Sequence, residues 1–129
     1  MHRLRILIAD DNPAFLQQMV TLLGAKFDVV ATAENGRIAL AKTLQHRPDL
    51  VVLDLEMPFL NGIEITRELR KLTQAPAIVI CSVENDEEII EAARQAGALG
   101  YVFKMRMVND LVVAVRCAAR GVPFVSSPF

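Results

Sequence analysis

Five short apolar runs set the frame for this chain: residues 4–9, 29–32, 50–53, 77–81 and 99–103, recurring at intervals of about 20 to 25 residues. Most are continuous rather than alternating, which is how a strand reads when both of its faces are covered, as in a parallel sheet. Between them apolar residues return at helical spacing. The first such stretch places Phe15, Leu16, Met19, Val20 and Leu23 on one face, with Pro13 in its first turn and Gly24 near its end. The second spans residues 36–46 with Ile38, Ala41 and Leu44 recurring, and Arg47-Pro48 ends it. The third, over residues 63–72, repeats Ile65, Leu69 and Leu72. The fourth opens on Asp86, Glu87 and Glu88, acids that favour the positive end of a helix, and stops at Gly97. The fifth, over residues 108–120, is expected to bury Leu111, Val112, Val115 and Ala119, and carries a second apolar strip, Val113 and Cys117. Strand and helix thus alternate five times. That pattern predicts an α/β fold, a doubly wound five-stranded parallel sheet with helices on both faces.

Composition narrows the class further. At 129 residues the chain has room for one domain, given roughly 150 residues per domain. With 53% apolar and 22% charged residues it is not a disordered chain. Its 14 Lys and Arg nearly balance 15 Asp and Glu, so bulk charge implies no attraction to nucleic acid or to an acidic membrane. No apolar stretch approaches the ~20 residues of a membrane span, and the first run ends in two aspartates, unlike a signal peptide. Cys81 and Cys117 are too few for a disulfide framework and read as reduced thiols of a cytoplasmic protein. His2 and His46 are isolated, and no Cys/His cluster has zinc-ligand spacing. Arg67, Arg70 and Lys71 read as a solvated helix face.

In open parallel α/β sheets, sites form at the carboxyl ends of the strands. Asp10 and Asp11 follow the first strand, Asp54 and then Glu56 the third, Ser82 and then Glu84 the fourth, and Lys104 the fifth. The second strand ends in Thr32-Ala33-Glu34, to which no role is assigned. Polar residues at a strand end are unremarkable one by one. A set of three aspartates is different, because crowded carboxylates raise one another's pKa unless a cation neutralises them. Hard oxygen donors with surplus charge suit Mg²⁺, which keeps several waters and uses few protein ligands. Asp49 is the contrast: it precedes its strand and falls at the opposite edge. A carboxylate beside Mg²⁺ can act as a nucleophile toward phosphorus. Phosphoryl transfer then needs charge stabilisation around the equatorial oxygens, which the cation, the Lys104 ammonium and the Ser82 hydroxyl would share.

These residues resemble the receiver domain of bacterial two-component response regulators over essentially the whole chain. The markers are Asp10-Asp11-Asn12 after the first strand, Asp54-Leu55-Glu56-Met57-Pro58 followed by Asn61-Gly62, Ser82 after the fourth strand, and Gly97-Ala98-Leu99-Gly100-Tyr101 leading to Lys104. The resemblance implies a flavodoxin-like (βα)5 sandwich of strand order 2-1-3-4-5. It implies Asp54 as phosphoacceptor, and Asp10, Asp11, Asp54 and the Glu56 backbone carbonyl as Mg²⁺ ligands. Ser82 matches the switch hydroxyl, Lys104 the site lysine, and Tyr101 the aromatic switch residue whose ring moves inward on activation. The implied partner is a histidine kinase, with homodimerisation on phosphorylation and no enzymatic activity beyond the domain's own phosphoryl transfer and dephosphorylation.

The segment from Val115 to Gly121, with Phe124-Val125-Ser126-Ser127-Pro128 after it, resembles receivers that precede a helix-turn-helix DNA-binding domain of the LuxR/NarL type. Residues 1–121 are then the receiver, and residues 122–129 the start of a linker toward an output domain that would carry DNA binding. The alternatives are a stand-alone receiver acting by protein contact or in a phosphorelay, and a small Mg²⁺-dependent phosphatase, which Asp54-Leu55-Glu56 resembles only loosely. Two departures from the receiver pattern stand out. Ser82 replaces the commoner threonine, and Met105 follows Lys104 where many receivers have a cis proline. Because a non-proline cis bond costs roughly 2.5–4 kcal/mol, a trans bond is expected there.

Overall fold

The computed structural model describes residues 3–127; His2, Pro128 and Phe129 lie outside the described residues. The chain runs β1 (Arg5–Ala9), α1 (Pro13–Gly24), β2 (Asp28–Ala33), α2 (Gly36–His46), β3 (Leu50–Leu53), α3 (Gly62–Arg70), β4 (Ala77–Ser82), α4 (Glu87–Ala96), β5 (Gly100–Phe103), a single 3₁₀ turn (Lys104–Arg106), α5 (Met107–Ala119) and β6 (Phe124–Val125). All neighbouring strands pair in parallel, in the order β2-β1-β3-β4-β5-β6. Ile6 and Ile8 face one layer, made by α1 and α5; Leu7 and Ala9 face the other, made by α2, α3 and α4. All four are wholly buried, which is why the run carries no polar alternation.

Helix starts are set by short polar side chains. Asn12, Asn35, Asn61 and Asp86 each accept a backbone N–H of the first turn they cap. Such a cap is worth about 1 kcal/mol. At α3, Glu64 also accepts the Asn61 backbone N–H, completing a capping box. Gly97 ends α4 in the left-handed conformation (φ 118°), where its lack of a Cβ removes the steric cost.

Three expectations are corrected. The sheet has six strands, because the tail is packed where a linker was expected. Phe124 N–H donates to Leu99 O and Ser126 N–H to Tyr101 O, satisfying the free edge of β5, while the Phe124 ring packs against the α1–α5 core layer. On α2 the buried face is Gly36, Ala39 and Thr43, whereas Ala41 and Leu44 are exposed. Thr43 tolerates burial because its hydroxyl donates to Ala39 O in its own helix, at 2.8 Å. On α5, Ala114 and Ala118 join Leu111 and Val115 in the core, and Ala119 is exposed, following the helical three–four spacing from Leu111. The Val113 and Cys117 strip is half-covered at most, with Val113 exposed.

Candidate functional site

The parallel ladder carries the acidic residues to one edge. Asp10 N–H continues the β1–β2 ladder to Ala33 O at 3.0 Å, and Asp54 N–H continues the β3–β1 ladder to Ala9 O at 2.9 Å. Strand ends therefore hold both carboxylates in register. The loop after Asp54 turns tightly into α3: Gly62 N–H donates to Leu55 O, and a Cβ at Gly62 would lie 2.6 Å from the Asp54 carbonyl oxygen. Only glycine permits that approach.

Carboxylate oxygens of Asp10, Asp11 and Asp54 lie within 4.8 Å of one another. Asp11 is exposed, but Asp10 is wholly buried and Asp54 is 5% exposed. Burial, and next the Asp10 charge, push Asp54 up to about 6, against the opposing pull of Lys104. Lys104, itself buried, points its Nζ at 2.7 Å from Asp10 Oδ2 and 3.3 Å from Asp54 Oδ1. Burial alone would lower the Lys104 pKa; hydrogen bonding to Asp10 and the charges of Asp54 and Asp10 outweigh it, and the net shift is upward. One cation for three carboxylates leaves surplus negative charge.

The site fits a divalent cation on its own chemistry. Asp10 Oδ1 takes the Asn12 N–H at 2.8 Å, and the buried Oδ2 takes the Lys104 ammonium at 2.7 Å. Three carboxylates sharing that one ammonium leave negative charge that a divalent cation would neutralise. Asp10, Asp11 and Asp54 offer hard oxygen donors, as Mg²⁺ prefers.

The remaining sequence-predicted residues lie at the end of β4, on β5 and in the loop after β3. Ser82 is buried at the end of β4, with its Oγ accepting the Glu84 N–H at 3.0 Å. Tyr101 lies inside, 2% exposed, donating its hydroxyl to Glu84 O at 2.9 Å and standing edge-on to Phe103. Burial, followed by the Glu84, Asp54 and Cys81 charges, raises the Tyr101 pKa despite the Ser82 hydrogen bond that lowers it. The Glu56 side chain is exposed and stands two residues beyond Asp54. The Lys104–Met105 bond is trans, as expected without proline, and Met105 is 84% exposed. Cys81, on β4, is pushed up to about 12 by burial, so its thiol is inert. At the opposite edge Asp49 accepts the Arg5 N–H at 2.9 Å, a strand-boundary staple as its position predicts. A cavity of about 650 Å³ also opens at that opposite edge, lined by Thr43, Asp49, Leu72 and Pro76, away from the charged cluster.

One neighbour was not singled out as a site residue. Phe15, in the first turn of α1, stacks its ring 4.2 Å from Lys104 Nζ. Sequence alone placed it on the apolar stripe of its helix, and it does pack against the core as well. Its position four residues beyond the acidic pair was the available signal.

A switch-point cluster of acids with a buried lysine, on this strand order, defines a class that comparison with known proteins identifies. The family model for the response regulator receiver domain matches residues 6–116, and the chain belongs to that family, the signalling domains of two-component systems. It is 40% identical over 120 residues to the nitrate/nitrite response regulator protein NarL of Escherichia coli K12, covering 90% of this chain and 55% of that protein. It is 36% identical to the chemotaxis protein CheY of Bacillus subtilis, covering 86% of this chain and 93% of that one. The crystal structure of a LuxR-family two-component response regulator from Aurantimonas sp. SI85-9A1 superposes with a TM-score of 0.90 at 32% identity, over 99% of this chain and 91% of that one. The chain spans about half the length of the transcriptional regulators it matches. Among the described residues no helix is long and apolar enough to cross a membrane.

Proposed function

We propose that this receiver is a phosphorylation-controlled switch, with Asp54 as the acceptor of a phosphoryl group from a histidine kinase. The observation that carries the reading is the convergence of Lys104 Nζ on both Asp10 and Asp54, beside a third carboxylate from Asp11. An Asp54 carboxylate oxygen attacks phosphorus, the P–N bond of phosphohistidine breaks, and the imidazole leaves with a proton. Lys104 sits where its ammonium can take charge from an equatorial oxygen, and Ser82, two residues beyond Ile80, the β4 partner of Leu53, supplies a hydroxyl to another. Mg²⁺ held by Asp10, Asp11, Asp54 and the Glu56 backbone carbonyl would supply charge neutralisation at the same phosphoryl group.

The switch would run from Ser82 through the Glu84 loop to Tyr101. Tyr101 is bonded to the Glu84 carbonyl, and the Glu84 N–H is bonded to Ser82, so a shift of the hydroxyl toward phosphate pulls on both. A population shift of this kind needs a few kcal/mol of differential interaction. Homodimerisation, and control of transcription through a helix-turn-helix domain beyond residues 122–129, are the outputs that the NarL and LuxR-family likenesses favour. DNA contact would belong to that domain alone. The second reading, a stand-alone receiver acting by protein contact or in a phosphorelay, is favoured by the match to 93% of CheY.

The test is intact mass after incubation with Mg²⁺ and acetyl phosphate. One added phosphoryl group on wild type, and none on Asp54→Asn, is the expected result. No addition, together with failure to bind beryllofluoride, would overturn the acceptor role.

A further inference from the structure

We infer that Phe15 is a positioning residue for Lys104, its ring face holding the ammonium beside Asp54; this rests on the reading of Asp54 as the phosphoryl acceptor. Four contacts close on themselves. Asp10 Oδ1 accepts the Asn12 N–H at 2.8 Å. Asn12 Oδ1 in turn accepts the Phe15 N–H at 3.1 Å and the Ala14 N–H at 2.9 Å, fixing the first turn of α1. The Phe15 ring stands 4.2 Å from Lys104 Nζ, and that nitrogen returns to Asp10 Oδ2 at 2.7 Å. The direction of the helix start and the direction of the lysine are thus set by the two oxygens of one carboxylate.

The ring does something a third carboxylate would not. An ammonium has three N–H groups, and Asp10 and Asp54 face two of them. An aromatic face is electron-rich, and it attracts a cation more strongly where water is excluded, as it is around this buried lysine. Its attraction is broad, so the ammonium can pivot toward a new phosphoryl oxygen without breaking a directed bond. It also persists when a divalent cation draws on the Asp10 charge that otherwise holds Lys104. A lysine stem has four rotatable bonds, and without the ring it is tethered only by carboxylates whose charge changes during the reaction.

The experiment uses the full chain with Phe15 replaced by phenylalanines bearing one, two and three ring fluorines, beside Phe15→Tyr and Phe15→Leu. Fluorine withdraws ring charge with little change in volume. Two readouts are taken: the initial rate of Asp54 phosphorylation by acetyl phosphate in saturating Mg²⁺, and, in the metal-free protein, the proton resonances of the Lys104 ε-methylene, which the ring current moves upfield. The expected rate falls stepwise with each fluorine and by about fivefold to tenfold in Phe15→Leu, while Phe15→Tyr keeps the wild-type rate. The ε-methylene resonances should move downfield in Phe15→Leu. A flat rate across the fluorine series, with loss only in Phe15→Leu, would mean packing alone and would overturn the proposal. Unmoved ε-methylene resonances in Phe15→Leu would overturn it as well. If wild type accepts no phosphoryl group, the acceptor reading falls and the positioning role falls with it; if wild type accepts one and the series is flat, only the positioning role falls.

Discussion

Asp54 and Asp110 are both buried carboxylates, yet the chain surrounds them in opposite ways. Asp54 sits among like charges: Asp10 and Asp11 crowd it, and Lys104 serves two of the three. Asp110, in the first turn of α5, receives the Ser126 hydroxyl at 2.8 Å and the Arg106 Nε at 3.3 Å on its Oδ2. Ser126 Oγ in turn accepts the Phe103 N–H at 3.1 Å, so helix, tail and β5 are tied by one hydroxyl. The first arrangement stores repulsion that a bound cation relieves. In the second, one oxygen meets two donors, and the Ser126 tie holds β6 against α5. Burial therefore does not separate a carboxylate crowded by like charge from one held by donors; the charges and donors around it do.

The largest effect tests the structural side. Ser126→Ala removes a hydroxyl that serves two buried groups, stranding the Phe103 N–H and leaving Asp110 Oδ2 with Arg106 alone. The expected loss is about 2–3 kcal/mol, read from the urea midpoint. Acceptance of a phosphoryl group from acetyl phosphate should persist in the folded variant. Abolished acceptance would show that the tail and the acidic cluster are one unit, and the comparison would collapse.

Next in size is Asp54→Asn, which should stabilise the metal-free protein by about 1–2 kcal/mol near neutral pH. The sign follows from the folded pKa of about 6 against an ordinary 3.8. The folded state binds this proton more tightly, so the stabilisation is fully present below the unfolded value and is lost as pH rises through about 6. Wild type should lose stability between those two values, and Asp54→Asn should lack that component. Urea titrations on either side of about pH 6 measure it, and equal pH dependence in both proteins would refute the crowded-charge account.

Mg²⁺ sharpens the same point from the other direction. At ten times its dissociation constant a ligand of the folded state adds about 1.4 kcal/mol. Thermal melts with and without Mg²⁺ should show that gain in wild type and a smaller one in Asp54→Asn, which has lost one anionic donor. An equal gain in both would place the cation elsewhere.

What could be read in advance follows the same physics. Strands β1, β3, β4 and β5 were legible because burial on both faces leaves an unbroken apolar run, and the acids at their ends were legible because they end those runs. Strand β6 was not: two residues have no periodicity, and Phe124-Val125 is held by backbone bonds to Leu99 and Tyr101 and by the side chain of Ser126. The buried face of α2 was hidden because Thr43 reads as polar until its hydroxyl is seen to bond within the helix. Phe15 was visible as an apolar residue, but its neighbour across the sheet edge, Lys104, is far away in the chain. Contacts that join distant segments through a single side chain leave no local pattern.

The smallest effect carries the comparison to one substitution. Asp110→Asn keeps an oxygen that can accept the Ser126 hydroxyl and removes only the charge facing Arg106, whose side chain is 33% exposed. An i,i+4 pair whose arginine is partly exposed contributes a fraction of a kcal/mol, and exchanging a charged acceptor for a neutral one weakens the Ser126 bond modestly. The expected cost is about 0.5–1 kcal/mol by urea denaturation. The same chemical change, aspartate to asparagine, then destabilises at Asp110 and stabilises at Asp54. Opposite signs require that the two carboxylates differ in what surrounds them, since burial alone would give both the same sign. If Asp110→Asn also stabilised the protein, the Ser126 network would have to count as a desolvation cost rather than a tie, and the contrast between the two regions would fail.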